Sequence, residues 1–401
     1  MSFREIEGSV TTPAGFLAAG VRAGIKQQGE DLALIVSEHP ASAAGVFTLN
    51  VVKAASVQID SRRVPRSTAR AIVVNSGNAN ACTGEGGYQD AHESARQAAS
   101  LLQVPEEDVL VASTGIIGKR LPMDKIRSGI EQAYKSLSDE GGPLAARAIM
   151  TTDTYPKTAC VEVDLGGKAI RIGGIAKGAG MICPNMATML SFITTDAAVA
   201  PDLLQSCLSK SVETSFNCLT VDGDSSTNDS VIILANGAAG YPQLGAGSAE
   251  LDAFQEALDF VTSSLAKQIA ADGEGATKFV EIKVEGAASF EEARQVAKTI
   301  ANSPLVKTAM FGKDPNWGRV LAAAGRAGVD FNPADVRLSF GPIMLLDGGE
   351  PTDFSEEQAH QYLSNREVSV LLRIGGGPGA ATVWTCDFSY DYVRINAEYH
   401  T

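Results

Sequence analysis

Short apolar runs recur along the whole 401-residue chain, with helix-period stretches between them. That alternation limits the chain to folds built from both strands and helices. Runs at 32–38, 70–74 and 108–112 read as strands, the first being Leu-Ala-Leu-Ile-Val-Ser-Glu. Two more, at 160–165 and 169–175, flank Gly166-Gly167, a pair suited to a tight hairpin turn. Strands are also expected at 188–195, 230–235, 279–284, 336–340 and 368–374. A last one is expected through 382–393, where Trp384, Cys386, Phe388, Tyr390 and Tyr392 alternate with Thr385, Asp387, Ser389 and Asp391. The clearest helix covers 249–271, because Leu251, Phe254, Leu258, Val261, Leu265 and Ile269 step by three and four. Ser248 is its expected N-cap and Gly273 its expected stop. Ser289-Phe290-Glu291-Glu292 carries a capping-box pattern, and helices are expected at 89–103, 201–215 and 354–363. The class is therefore α+β (α/β), with mixed sheets, substantial antiparallel pairing and flanking helices. Strand order is not legible.

Composition narrows the chemistry. A formal net charge of −14, with dispersed Lys and Arg, argues against nucleic acid or an anionic membrane as the main partner. No apolar stretch reaches the roughly 18–20 residues that span a bilayer. The first residues lack a charged-then-apolar signal pattern, so a cytoplasmic location is the expectation. The six cysteines are scattered singly with no C-x-x-C pair, and the four histidines (His39, His92, His360, His400) show no metal-ligand spacing. No metal and no organic cofactor are expected. Asp222-Gly223-Asp224 lacks the later Gly and Glu of a calcium loop, and Gly375-Gly376-Gly377-Pro378-Gly379 reads as a turn between strands. With few histidines and no G-x-S-x-G elbow, a base other than His is expected.

The middle of the chain supplies one. In "KGAGMICPNMATMLSFITTDA" a run fit for a buried strand begins directly behind Ala187-Thr188. A Thr hydroxyl can attack the carbonyl of its own preceding peptide, and hydrolysis of the resulting ester frees Thr as a new N-terminus. A small residue such as Ala187 leaves that carbonyl accessible. An α-amino group has a reference pKa of about 7.7–8.0, so it can serve as general base beside its own hydroxyl. An Ala-Thr pair by itself recurs by chance in most chains of this length, usually as the start of a core strand.

The same stretch resembles very closely the central motif of the ornithine acetyltransferase (glutamate N-acetyltransferase) family. "VTTPAGFLAAGVRAGIK", "VVNSGNANACTG", "ASTGIIGKRLPMDKI", "VDGDSSTNDS", "DGEGATK", "GKDPNWGR" and the terminus "RINAEYHT" look like further family blocks, in order along the chain. The resemblance implies a self-cleaved enzyme of the N-terminal-nucleophile type, cut at Ala187-Thr188. Residues 1–187 and 188–401 would be its α and β chains, two of each forming a heterotetramer. It implies Thr188 as nucleophile, Thr114 and Gly115 as the oxyanion hole, and Thr151, Lys177, Thr188, Glu274, Asn396 and Thr401 as substrate contacts. Without it, Ser113-Thr114-Gly115 reads as an ordinary turn and Glu274 as a solvated loop carboxylate. Lys177 suits a carboxylate and Glu274 an ammonium, and the sequence leaves open which end of an amino acid each one grips. Placing Asn396 and Thr401 in a site implies that the C-terminus folds back into it, against the usual fraying of termini.

The implied activity, in arginine biosynthesis, is transfer of acetyl from N²-acetyl-L-ornithine to L-glutamate through an acetyl-Thr188 ester. Some family members also take acetyl-CoA as donor, and no residue of the sequence decides that point. Two alternatives stand beside it: a related self-processing aminopeptidase or amidase, and an uncleaved amino-acid-binding homologue.

Overall fold

The computed structural model describes residues 3–183 and 189–398. The strands of the first sheet are β1 (Phe3–Glu5), β2 (Phe16–Val21), β3 (Leu32–Phe47), β4 (Arg66–Asn78), β5 (Val109–Ile116), β6 (Lys157–Leu165), β7 (Lys168–Lys177), β8 (Leu190–Thr195) and β9 (Ser230–Ala235). Their order is β1-β6-β7-β8-β9-β3-β4-β5, with β2 also beside β3. The β4/β5 and β8/β9 pairs are parallel and the others antiparallel.

The long β3 lets this sheet fold over on itself. Its first half pairs with β2 and its second half with β9, while the register with β4 breaks between Val36 and Ala41. The exposed Glu38-His39-Pro40 sits at the break. Pleating then sends alternate side chains to opposite faces. Leu32, Leu34 and Val36 pack with the helices Ala55–Arg63, Gly84–Leu102 and Met123–Lys135. Ala33 and Ile35 join Phe192, Ile232 and Leu234 in a core between the two halves of the sheet. On the far side, Ile172, Ile193 and Ile233 meet the helices Pro201–Thr214 and Ala249–Ala271. The result is a helix–sheet–sheet–helix sandwich.

A second sheet extends the last helical layer. Its strands are β10 (Phe279–Ala287), β11 (Arg337–Phe340), β12 (Ile343–Asp347), β13 (Glu350–Pro351), β14 (Glu367–Arg373) and β15 (Gly379–Cys386). They run in the order β13-β12-β11-β14-β10-β15, and only β10/β14 pair in parallel. Val280, Ile282 and Val284 of β10 share one continuous core with Leu265 and Ile269 of the long helix.

The mixed α+β reading of the sequence holds. The long helix runs Ala249–Ala271, and Ser248 Oγ accepts from the Leu251 amide at 3.2 Å. Gly166 and Gly167 both take positive φ, 62° and 89°, as a tight β6–β7 hairpin requires. One expectation is overturned: the last strand stops at Cys386, and Tyr390–Glu398 is a helix. Tyr390 and Tyr392 continue the alternation of the preceding strand but fall inside the helix, and Tyr392 stacks at 4.5 Å on Phe388, which lies before the helix. Among the described residues no helix is long and apolar enough to cross a membrane.

Candidate active site

One rim of the sandwich, where β5 of one half-sheet comes level with the end of β7 and the start of β8, holds a cavity of about 290 Å³. Six of the residues singled out from the sequence line it together: Thr114, Gly115, Thr151, Lys177, Glu274 and Asn396. Ala187, Thr188 and Thr401 lie outside the described residues. Met189, the residue after Thr188, also lines the cavity.

Thr114 and Gly115 do not form the turn that their residue types suggest. They lie within the last three residues of β5, because Ser76 and Gly77 of β4 carry the parallel ladder on beside them. Gly115 has φ 130°, and a Cβ there would stand 2.4 Å from the Gly77 carbonyl carbon, so only glycine fits. Asn228 fastens the same strand end from across the cavity. Its Nδ2 donates to the Ala79 carbonyl at 2.6 Å and to the Ser113 carbonyl at 2.7 Å.

Lys177 ends β7 with its side chain buried, and its Nζ donates to Thr114 Oγ1 at 3.2 Å. Burial pulls this ammonium below the ordinary lysine range, against the attraction of Asp153, Glu274 and Asp229. Across the cavity, the long helix delivers Glu274 just past its end. The Glu274 amide donates to the Ala179 carbonyl at 2.8 Å, and its Oε2 accepts from Asn396 Nδ2 at 2.9 Å. Gly180 makes room for that carboxylate, which would lie 2.3 Å from any Cβ. The last helix therefore does fold back over the cavity through Asn396.

The chain leading to residue 183 is pinned from a second direction. Asp222 accepts from the amides of Met181, at 2.6 Å, and Ile182, at 2.8 Å. Met181 itself takes the left-handed φ of 55°, rare for a side chain of that size. Asp222, read from the sequence only as a failed calcium loop, is thus a backbone anchor. Asp229 and Asn228 belong to the block "VDGDSSTNDS" and carry no further signal in the sequence. The sequence offers no local sign of their place in the cavity, because the carbonyls that Asn228 holds lie more than a hundred residues away and Lys177, which Asp229 attracts, lies on another strand.

Several hydroxyls, an enclosed ammonium and two carboxylates, Asp229 and Glu274, around an amino-acid-sized cavity define the class: a mixed α+β enzyme with a polar site for a small charged metabolite. The family model described as ArgJ family matches residues 17–401, and the chain belongs to that family. This is the family that its motifs resemble. An arginine biosynthesis bifunctional protein ArgJ from Synechococcus sp. is 53% identical over 411 residues, covering 100% of this chain and 99% of its own. The protein of the same description from Symbiobacterium thermophilum is 51% identical over 399 residues, with 99% of each covered. The crystal structure of an arginine biosynthesis bifunctional protein ArgJ from Bacillus halodurans aligns with a TM-score of 0.52 at 47% identity. It covers 53% of this chain and 100% of the solved chain.

Proposed function

We propose that this protein is a glutamate N-acetyltransferase (ornithine acetyltransferase) of arginine biosynthesis, which cuts its own Ala187–Thr188 bond. The observation that carries the reading is the convergence of Thr114, Gly115, Thr151, Lys177, Glu274 and Asn396 on one cavity whose wall continues through Met189. The solved ArgJ chain gives independent support, since 53% of this chain is about 213 residues. Residues 188–401 number 214.

In the cut enzyme the Thr188 hydroxyl gives its proton to its own α-amine and attacks the acetyl carbonyl of N²-acetyl-L-ornithine. The Thr114 hydroxyl and the Gly115 amide receive the oxyanion, and the Lys177 ammonium lends its charge through Thr114. Collapse breaks the amide, the α-amine of ornithine leaves with the proton, and acetyl-Thr188 remains. The α-amine of L-glutamate then attacks the ester, giving N-acetylglutamate and restoring Thr188. Glu274 and Lys177 present the opposite charges that an amino acid carries, with Thr151, Asn396 and Thr401 completing the substrate contacts. The relatives' description as bifunctional supports a second donor, acetyl-CoA, whose thioester would acylate the same hydroxyl. The α chain 1–187 and β chain 188–401 stay together, two pairs forming an α₂β₂ assembly in the cytoplasm.

An acetyl-transfer assay tests this. Equal amounts of ornithine and N-acetylglutamate should appear from N²-acetylornithine plus glutamate. Acetate released with no acetylated glutamate would make the protein an amidase instead.

A further inference from the structure

Three segments carry the charged and polar walls of the cavity, and one buried lysine ties them together. Lys157 on β6 is fully enclosed, and its Nζ donates to Asp153 Oδ1 at 2.7 Å and to Asp272 Oδ2 at 2.6 Å. The same Nζ lies 4.9 Å from the centre of the Tyr155 ring. Asp153 also accepts from the Gly178 amide at 2.6 Å and from the Thr151 amide at 3.0 Å. Gly178 directly follows Lys177, and Thr151 itself lines the cavity. Asp272, two residues before Glu274, accepts from the Thr154 amide at 2.9 Å and from the Thr154 hydroxyl. Charges therefore alternate along one buried line: Asp272, Lys157, Asp153, Lys177. Lys177 then meets Thr114. Asp153, Lys157 and Asp272 are absent from the cavity wall, so they act on it only through their neighbours.

We propose that Asp153, clamped by Lys157 and Asp272, is the positioning residue that keeps Lys177 charged and aimed at Thr114. Its catalytic consequence rests on the acetyl-transfer reading; its effect on Lys177 does not. The charged groups around Lys177 are Asp153, Lys157, Glu274 and Asp229, with Lys26 reaching in from the loop before β3. Burial disfavours the ammonium, and Asp153 is the leading charge that opposes this loss. Burial would equally raise the Asp153 carboxyl, but Lys177 and then Lys157 hold it below the ordinary carboxylate range. Asp153 and Lys177 each oppose the other's loss of charge. Lys157 has a second, opposing effect, because its like charge lowers Lys177 directly.

The sign of these effects makes the proposal testable on the full-length chain. Asp153→Asn preserves shape and removes the charge. Lys177 is labelled with acetic anhydride over a range of pH, and its modified peptide is measured by mass spectrometry. The midpoint for Lys177 labelling should fall by about 1–3 pH units, the usual effect of losing a close opposite charge. The alkaline limb of kcat/KM for acetyl transfer should move down with it, and other lysines should not change. In the pair Asp153→Asn and Lys157→Met, which removes one charge of each sign, the Lys177 midpoint should still fall, by less, because the attraction of Asp153 outweighs the repulsion of Lys157. That second variant decides the matter should Asp153→Asn fail to fold. A Lys177 midpoint unchanged in the folded variant, with only the melting temperature lowered, would reduce the line to a structural brace and overturn the proposal. A shifted midpoint in a protein that transfers no acetyl would sustain the proposal and reject the acetyltransferase reading.

Discussion

The two walls of the cavity are built in opposite ways. Thr114 and Gly115 stand near the end of the edge strand β5 and Lys177 at the end of β7, both strands backed by the core between the half-sheets. Asn396 stands on the helix Tyr390–Glu398, which buries none of its residues and leaves Tyr390 83% and Val393 66% exposed. That helix is held by the Asn396–Glu274 bond, the Phe388–Tyr392 stack, and a close approach of the Tyr392 backbone to Gly275. A wall made of strand ends moves only if the core moves. A wall fastened by a few polar contacts can open at a small fraction of the total stability. In the proposed mechanism the chemistry falls on the first wall and substrate selection on the second.

Substitutions on the rigid wall should cost the most. Lys177→Met should lower kcat/KM for acetyl transfer by about 10²–10³, the usual loss of an oxyanion-stabilising group, in a protein that still folds. A loss under tenfold would remove Lys177 from the chemistry. Gly115→Ala should lower both turnover and melting temperature, because its φ of 130° and the 2.4 Å approach of Gly77 leave no room for a side chain. The strain is about 1–3 kcal/mol. Wild-type stability in this variant would mean that β5 ends differently.

Asp222 sharpens the comparison, because it anchors the chain upstream of the proposed cut from outside the cavity lining, while also reaching Tyr392 on the outer helix. Asp222→Asn removes the charge from two backbone hydrogen bonds, each worth about 1.5–3 kcal/mol. Self-cleavage followed by gel after translation should slow by about 10–100-fold. Separately expressed and combined 1–187 and 188–401 chains carrying the same change should transfer acetyl near the wild-type rate. Equal losses in both measurements would show that Asp222 serves the finished site.

The outer wall should give the smallest effects. Asn396→Ala loses one hydrogen bond, about 0.5–1.5 kcal/mol, so KM should rise roughly 2–10-fold with kcat and melting temperature nearly unchanged. Removing residues 390–401, or adding a C-terminal tag, should raise KM further. A fall in kcat alone would contradict the division of labour between the walls. The pH profile separates the groups as well. Activity should rise as the Thr188 α-amine becomes neutral, near its reference range of about 7.7–8.0. It should fall again as Lys177 loses its proton, below the ordinary lysine pKa because burial lowers it.

The same contrast governs what can be read from the sequence. The helix Ala249–Ala271 is legible to the residue, since its periodic apolar face and Ser248 cap are local signals. β3 is legible only as far as Glu38, because Glu38-His39-Pro40 interrupts the apolar run in a strand that continues to Phe47. The C-terminal helix reads as a strand because the aromatic alternation runs on into it through Tyr390 and Tyr392. Thr114 and Gly115 are visible through family resemblance alone, as Ser-Thr-Gly becomes a strand end only beside β4. Lys157, Asp153 and Asp272 carry no sign of their role. Lys157 and Asp272 are 115 residues apart, and only the folded sandwich brings their charges together.

The central claim is that the nucleophile is made by cutting the chain. The most direct measurement is the mass of the purified protein under denaturing conditions, with N-terminal sequencing of any second fragment. Two chains are predicted, the second beginning Thr-Met-Leu-Ser at Thr188. A single uncut chain that nonetheless transfers acetyl would leave Thr188 without its amine and contradict the account.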